Sequence, residues 1–230
     1  MANKIIIFLL EGVTDKLCLT AIINKYDRLK NDFHCEYELT TDLTSNSKIK
    51  ESGIRKKIAD HINNVLRRNG YRWTDIERIV QVFDLDGTYI PKDKVVKDIS
   101  KDKFFYTEDS IRYNNRDEVF KRNGHKKHLL ETLIDTKQIN NHKYNVYFMS
   151  CNLEHVLWGN THLNKPPSQK KNLSKDFMFK CNTNSDILNE TIYSPDVKST
   201  DYKTSWDEIK IGCNSLKRKT NINLFFEEYE

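Results

Sequence analysis

Several features that would fix a class at once are missing from this chain. Its five cysteines, Cys18, Cys35, Cys151, Cys181 and Cys213, are odd in number, scattered and without a Cys-x-x-Cys pair. That spacing speaks against a disulfide framework or a zinc knuckle and fits a reducing, cytoplasmic compartment. No apolar run approaches the length of a membrane span, so no membrane association is expected. The opening MANKIIIFLLEG carries one lysine and an apolar stretch that Glu11 stops before it reaches the length of a secretory signal. Internal repeats are absent.

What is present belongs to a folding chain with one sizeable core. Charged residues make up 31% and hydrophobic residues 37% of 230, and eleven Phe, eleven Tyr and three Trp are available for packing. A net charge of +5, with a pI near 8.8, permits contact with a polyanion without demanding it.

One arrangement occurs twice: an apolar run that stops on a tight acidic cluster. Lys4-Ile5-Ile6-Ile7-Phe8-Leu9-Leu10 ends in Glu11-Gly12-Val13-Thr14-Asp15, and Ile79-Val80-Gln81-Val82-Phe83 ends in Asp84-Leu85-Asp86-Gly87. Continuous β-branched and aromatic runs of this length read as strands buried on both faces, the mark of a parallel sheet in an α/β domain. Such sheets bind ligands beyond the carboxyl ends of their strands. If the two strands are neighbours, Glu11, Asp15, Asp84 and Asp86 converge on one crevice. Like charges so placed repel and raise one another's pKa, and a divalent metal such as Mg2+ or Mn2+ is the usual remedy.

Around these runs the pattern predicts a helix over 15–28 capped by Thr14, with Asp15 in its first turn, a short strand over 35–40 and a polar loop over 41–47. A clearer helix over 51–69 carries Ile54, Ile58, Ile62, Val65 and Leu66 at helical spacing and stops at Gly70; its Arg55, Lys56, Lys57, Arg67 and Arg68 read as a solvated face. Residues 89–123 read as an irregular, charged insertion, after which Asn123-Gly124 opens a helix through Leu129, Leu130, Leu133 and Ile134. A third apolar strand over 144–150 is followed by Glu154, which either reaches the crevice from a third side or caps its helix. The polar stretch 159–204 reads as a lid or a surface excursion, followed by a helix over 206–219 capped by Ser205 and a short apolar closing segment over 221–226. His125 and His128 read as exposed rather than ligating, and Trp158 and Trp206 as core or interface aromatics.

Two family resemblances meet on the second acidic cluster. Val82-Phe83-Asp84-Leu85-Asp86-Gly87-Thr88 alone resembles the first motif of haloacid-dehalogenase-type phosphatases, which would make Asp84 a nucleophile. That motif normally opens its domain, whereas here a strand and two helices precede it, and no paired Asp-Asp or Gly-Asp cluster follows an apolar run downstream. Taken with Glu11-Gly12-Val13-Thr14-Asp15, the same residues resemble the Toprim domain, whose first strand ends in Glu-Gly-x-x-Asp and a later strand in Asp-x-Asp. Glu11, Asp15, Asp84 and Asp86 stand at those positions.

The Toprim resemblance implies a Rossmann-like α/β domain over 1–158, with a mostly parallel sheet flanked by helices and the insertion at about 89–123. A mainly helical C-terminal extension over 159–230 would pack on the same core. It implies metal ligation by Glu11, Asp15, Asp84 and Asp86, with Glu11, Asp84 and Asp86 catalytic, and hydrolysis of DNA or RNA phosphodiesters. The chain is similar in plan to the overcoming-lysogenization-defect group of phage-defence nucleases, which use a late lysine; Lys203, Lys210 and Lys217 are candidates. That group works with an ABC-type ATPase. No Gly-x4-Gly-Lys-Ser/Thr motif is found here, so the resemblance implies a separate ATPase subunit as partner. Assembly of several copies is also compatible with it. The phosphatase and a non-catalytic binding module stay open as alternatives.

Overall fold

A computed structural model describes residues 4–41, 43–160 and 167–230, with the side chains of 167–169 left aside. In chain order the elements are β1 (Lys4–Leu10), α1 (Val13–Ile23), α2 (Asp27–Asp32), β2 (Phe33–Leu39), α3 (Glu51–Asn69) and β3 (Ile76–Asp84). There follow β4 (Val95–Lys97), β5 (Phe105–Tyr106), β6 (Ile111–Tyr113), α4 (Arg116–Asp135), β7 (Gln138–Ile139) and β8 (His142–Met149). The chain closes with α5 (Leu153–Trp158), α6 (Pro167–Thr183), α7 (Ile187–Glu190), α8 (Tyr202–Ile209) and α9 (Asn223–Glu227).

The fold is α/β. Five strands in the order β2-β1-β3-β8-β7 form the main sheet, parallel throughout except for β7. Because side chains alternate along a strand, β1 sends Ile6, Phe8 and Leu10 to one face and Ile5, Ile7 and Leu9 to the other. The first face is closed by α1, α5, α6 and α9, through residues such as Leu19, Val156, Phe177 and Phe225. The second is closed by α3, α4 and α8, through Ile58, Leu130 and Trp206. Burial on both sides explains why the two runs read as unbroken apolar segments instead of alternating ones.

From β1 the chain crosses through α1 to β2 on one side; from β3 it crosses through α4 to β8 on the other. The connections diverge between β1 and β3, which makes that junction the topological switch point, where sheets of this kind leave a crevice at their carboxyl ends.

Several local expectations are corrected. The first helix starts at Val13 with Gly12 as its cap, not Thr14, and ends at Ile23 rather than near Arg28. It breaks because Tyr26 turns to extended backbone and packs inward, stacking on Phe226 at 4.9 Å and donating its hydroxyl to the Tyr193 hydroxyl at 2.8 Å. The insertion is not irregular: β4, β6 and β5 form a three-stranded sheet whose Val95 and Ile111 pack with Val119, Cys151 and Leu216. The helix expected from Asn123 begins at Arg116, where the Asn115 side chain accepts from the Asp117 amide. The helix expected over 206–219 is α8, capped by Asp201 and ending at Ile209, with Ser205 inside it. Within 159–204 the structure shows α6 and α7, and 161–166 lie outside the described residues. The closing segment is the helix α9.

The C-terminal elements complete the main core instead of building a second one, since Phe177, Cys181, Phe225 and Phe226 belong to the cluster on the α1 face. Among the described residues, no helix is long and apolar enough to cross a membrane.

Candidate active site

β1 and β3 are hydrogen-bonded neighbours, so the two acidic clusters leave the sheet side by side. Thr40 closes the end of β1 by donating its amide and hydroxyl to the Leu10 carbonyl. Glu11 follows, then Gly12 in extended backbone, then α1 with Asp15 in its first turn. A Cβ at Gly12 would come within 3.0 Å of Asp15 Oδ2, so the glycine lets that carboxylate fold back over the strand end.

Asp84 is the last residue of β3, and its Oδ1 accepts from the Leu153 amide at 3.0 Å, at the start of α5. This places Glu154, in the first turn of α5, at the same end of the sheet. The three strand exits meet at a cavity of about 300 Å3 lined by Glu11, Gly12, Thr14, Asp15, Thr41, Asp84, Glu154 and Lys170. Larger hollows of about 450 and 360 Å3 lie elsewhere, by Lys50 and Arg55 and by Tyr26 and Tyr193, and neither gathers acids from strand ends.

Crowding controls protonation here. Burial, then the charge of Glu154, pushes the Asp15 carboxyl up to about 7, against opposing hydrogen bonds from the backbone at Gly12 and Asp15 and the Lys170 charge. Asp84 is held well above the ordinary carboxylate range by burial, then by Asp15, Glu11, Asp86 and Glu154. These are buried acids packed against like charge.

Two lysines answer part of it, and both escaped the sequence reading. Lys170 of α6 lies 2.6 Å from Glu154 Oε1 across the cavity. Lys126 of α4, fully buried, lies 2.7 Å from Asp86 Oδ2. Asp86 is therefore turned toward α4 and does not line the cavity, unlike Glu11, Asp15 and Asp84. Its turn is gripped further: Arg122 donates to the Asp86 carbonyl at 2.7 Å and Asn123 to the Gly87 carbonyl at 3.1 Å. Asp86 and Gly87 both have positive φ, +51° and +66°, and a Cβ at Gly87 would meet Leu216 Cδ2 at 2.7 Å, so glycine is required there.

The other candidates fall outside. Lys203 and Lys217 are exposed, and Lys210 pairs with Glu131 at 2.9 Å. His125 hydrogen-bonds the Asn46 carbonyl and His128 is exposed, and neither lines the cavity.

The acids lining the cavity, Glu11, Asp15, Asp84 and Glu154, offer carboxylate oxygens, which suit a hard divalent cation; Asp15 and Asp84 are raised first by burial and then by like charge, and such an ion would relieve the second. Among the described residues, no three His, Cys, Asp or Glu side chains already stand in a metal-holding arrangement, so ligation would require the carboxylates to draw together. Comparison of the chain with protein-family models, curated proteins and solved structures finds no match.

Proposed function

We propose that the chain is a Toprim-type nuclease that hydrolyses phosphodiester bonds of DNA or RNA with Mg2+ or Mn2+. One observation carries the reading: Glu11 and Asp15 from the exit of β1, and Asp84 from the exit of the neighbouring parallel β3, face one cavity at the switch point of the sheet. These three would hold the ion, with Glu154 available once it parts from Lys170. Bound there, such an ion activates water and offsets charge on the scissile phosphate.

The chain's own groups supply the rest. Glu11, between the end of β1 and α1 and lining the cavity, would take the proton from the attacking water. Lys170 offers an ammonium at the cavity wall, suited to a phosphate oxygen, and takes in this proposal the role that the resemblance gives to a late lysine. The net charge of +5 favours a polyanionic substrate. A separate ABC-type ATPase as regulatory partner, and a role in phage defence, rest on the resemblance and belong to the same proposal.

The test is cleavage of plasmid, linear DNA and transfer RNA with Mg2+ or Mn2+ by the wild type and Glu11→Ala. Activity that needs the ion and falls at least about a hundredfold in the variant is expected from loss of a proton-handling group. Equal activity in both proteins ends the proposal.

A further inference from the structure

Resting on the reading just given, the geometry points to a site that takes one divalent cation rather than two, with the ammonium of Lys126 standing as a built-in second positive charge and Asp86 as its counterion. Two-ion phosphoryl-transfer sites set their ions about 4 Å apart and need carboxylates that touch both. The second acid of the Asp-x-Asp cluster is the natural supplier, and here it is already committed.

The commitment is structural. Lys126 lies in the buried stripe of α4 formed by Val119, Asn123, Leu130 and Leu133, and is itself 0% exposed, so its stem cannot carry the ammonium out to water. Its Nζ meets Asp86 Oδ2 at 2.7 Å, and breaking a charge pair so enclosed is costly. Arg122 and Asn123, one helical turn earlier, hold the carbonyls of Asp86 and Gly87, so the turn cannot rotate Asp86 toward the cavity without breaking three contacts of α4. A second ion beside Asp86 would also stand against a fixed ammonium in a low-dielectric setting.

The deciding experiment counts Mn2+ bound per full-length chain at pH 8, by electron paramagnetic resonance of free Mn2+ and by calorimetry. Wild type should bind one ion. Asp84→Asn should weaken it at least about tenfold, the scale of a lost ligand, and Asp86→Asn should stay within about threefold of wild type. Lys126→Met should admit a second Mn2+, because it frees Asp86, and Asp86→Asn/Lys126→Met should return to one, a reversal that a purely structural role would not produce. Two ions in the wild type, or an Asp86→Asn loss as large as that of Asp84→Asn, overturns the inference and leaves the nuclease reading standing. No Mn2+ on the wild type overturns the inference and the nuclease reading together. Should Lys126→Met fail to fold, the wild-type count and Asp86→Asn decide the matter alone.

Discussion

Asp15 sits where a buried carboxylate is least at ease, against Glu154 and close to Asp84, and its carboxyl is pushed up to about 7 from an ordinary value of 3.8. Between those two values the folded chain keeps a proton that the unfolded chain has released, so this group makes stability fall as pH rises from about 4 to 7 and level off above. Asp84, raised in the same direction, adds to the trend. Asp15→Asn is expected to flatten the slope and to stabilise the metal-free protein at pH 8 by about 1–2 kcal/mol, a fraction of the ideal linkage because the side chain keeps some solvent. Adding Mg2+ to the wild type should raise the melting temperature at pH 8 and do little at pH 5, where protons compete for the same oxygens. Calorimetric scans at pH 5, 6.5 and 8, with and without Mg2+, check both; a wild type whose stability rises between pH 5 and 8 without metal would contradict the electrostatic account. At this scale the sequence was legible for acids and silent for their partners. Glu11 and Asp84 announce themselves by ending apolar runs, whereas a lysine's role depends on which helix face it occupies. Lys126 could have been found, since it falls in phase with Val119, Leu130 and Leu133, but in a run with Lys127 and His128 it reads as surface.

Elements were legible in proportion to how much of their burial repeats at a fixed period. In α3, Ile54, Ile58, Ile62, Val65 and Leu66 are all buried and Gly70 closes the helix at φ +73°, as the spacing predicts. The insertion hides its sheet because β4, β5 and β6 run for three, two and three residues, too short for alternation to show. In α6 the buried stripe reads Ser174, Phe177, Cys181, mostly small or polar, so neither the helix nor its delivery of Lys170 could be seen. The closing helix α9 is five residues long and lives on tertiary contacts: Phe225 and Phe226 are fully buried, Phe225 against Phe8 at 5.4 Å and Phe226 against Tyr26. Phe225→Ala is expected to cost about 3–4 kcal/mol, the range for emptying a buried aromatic site. Urea unfolding of the full chain checks this, and a loss below about 1 kcal/mol would show that α9 is not part of the core.

At the scale of the molecule, the parallel order β2-β1-β3-β8 matters more to function than any single contact, because it sets the exits of β1 and β3 side by side and sends their chains apart. The α/β class followed from buried strands and from the rule that parallel strands need crossovers, whereas the adjacency of β1 and β3 was only a condition in the sequence and is seen in their pairing. The C-terminal half was less legible, since its helices earn their place by covering a sheet face that other segments built. A buried Arg78 in β3, bonded to both Glu228 carboxylate oxygens and to the Tyr147 hydroxyl, ties the last turn of the chain back to the central strand. The region after β8 thus both closes the hydrophobic core and supplies the cavity's Glu154 and Lys170.

The central claim is that two distant segments bring their acids to one shared cation. Its most direct test is anomalous diffraction from crystals of the full chain soaked in Mn2+. The account predicts a peak in the cavity at the end of β1 and β3, with oxygens of Glu11, Asp15 and Asp84 at about 2.0–2.6 Å, the range for hard cations on carboxylates. Carboxylates of Glu11 and Asp84 that point apart with the cavity empty at saturating Mn2+, or a peak held by other residues, would contradict it.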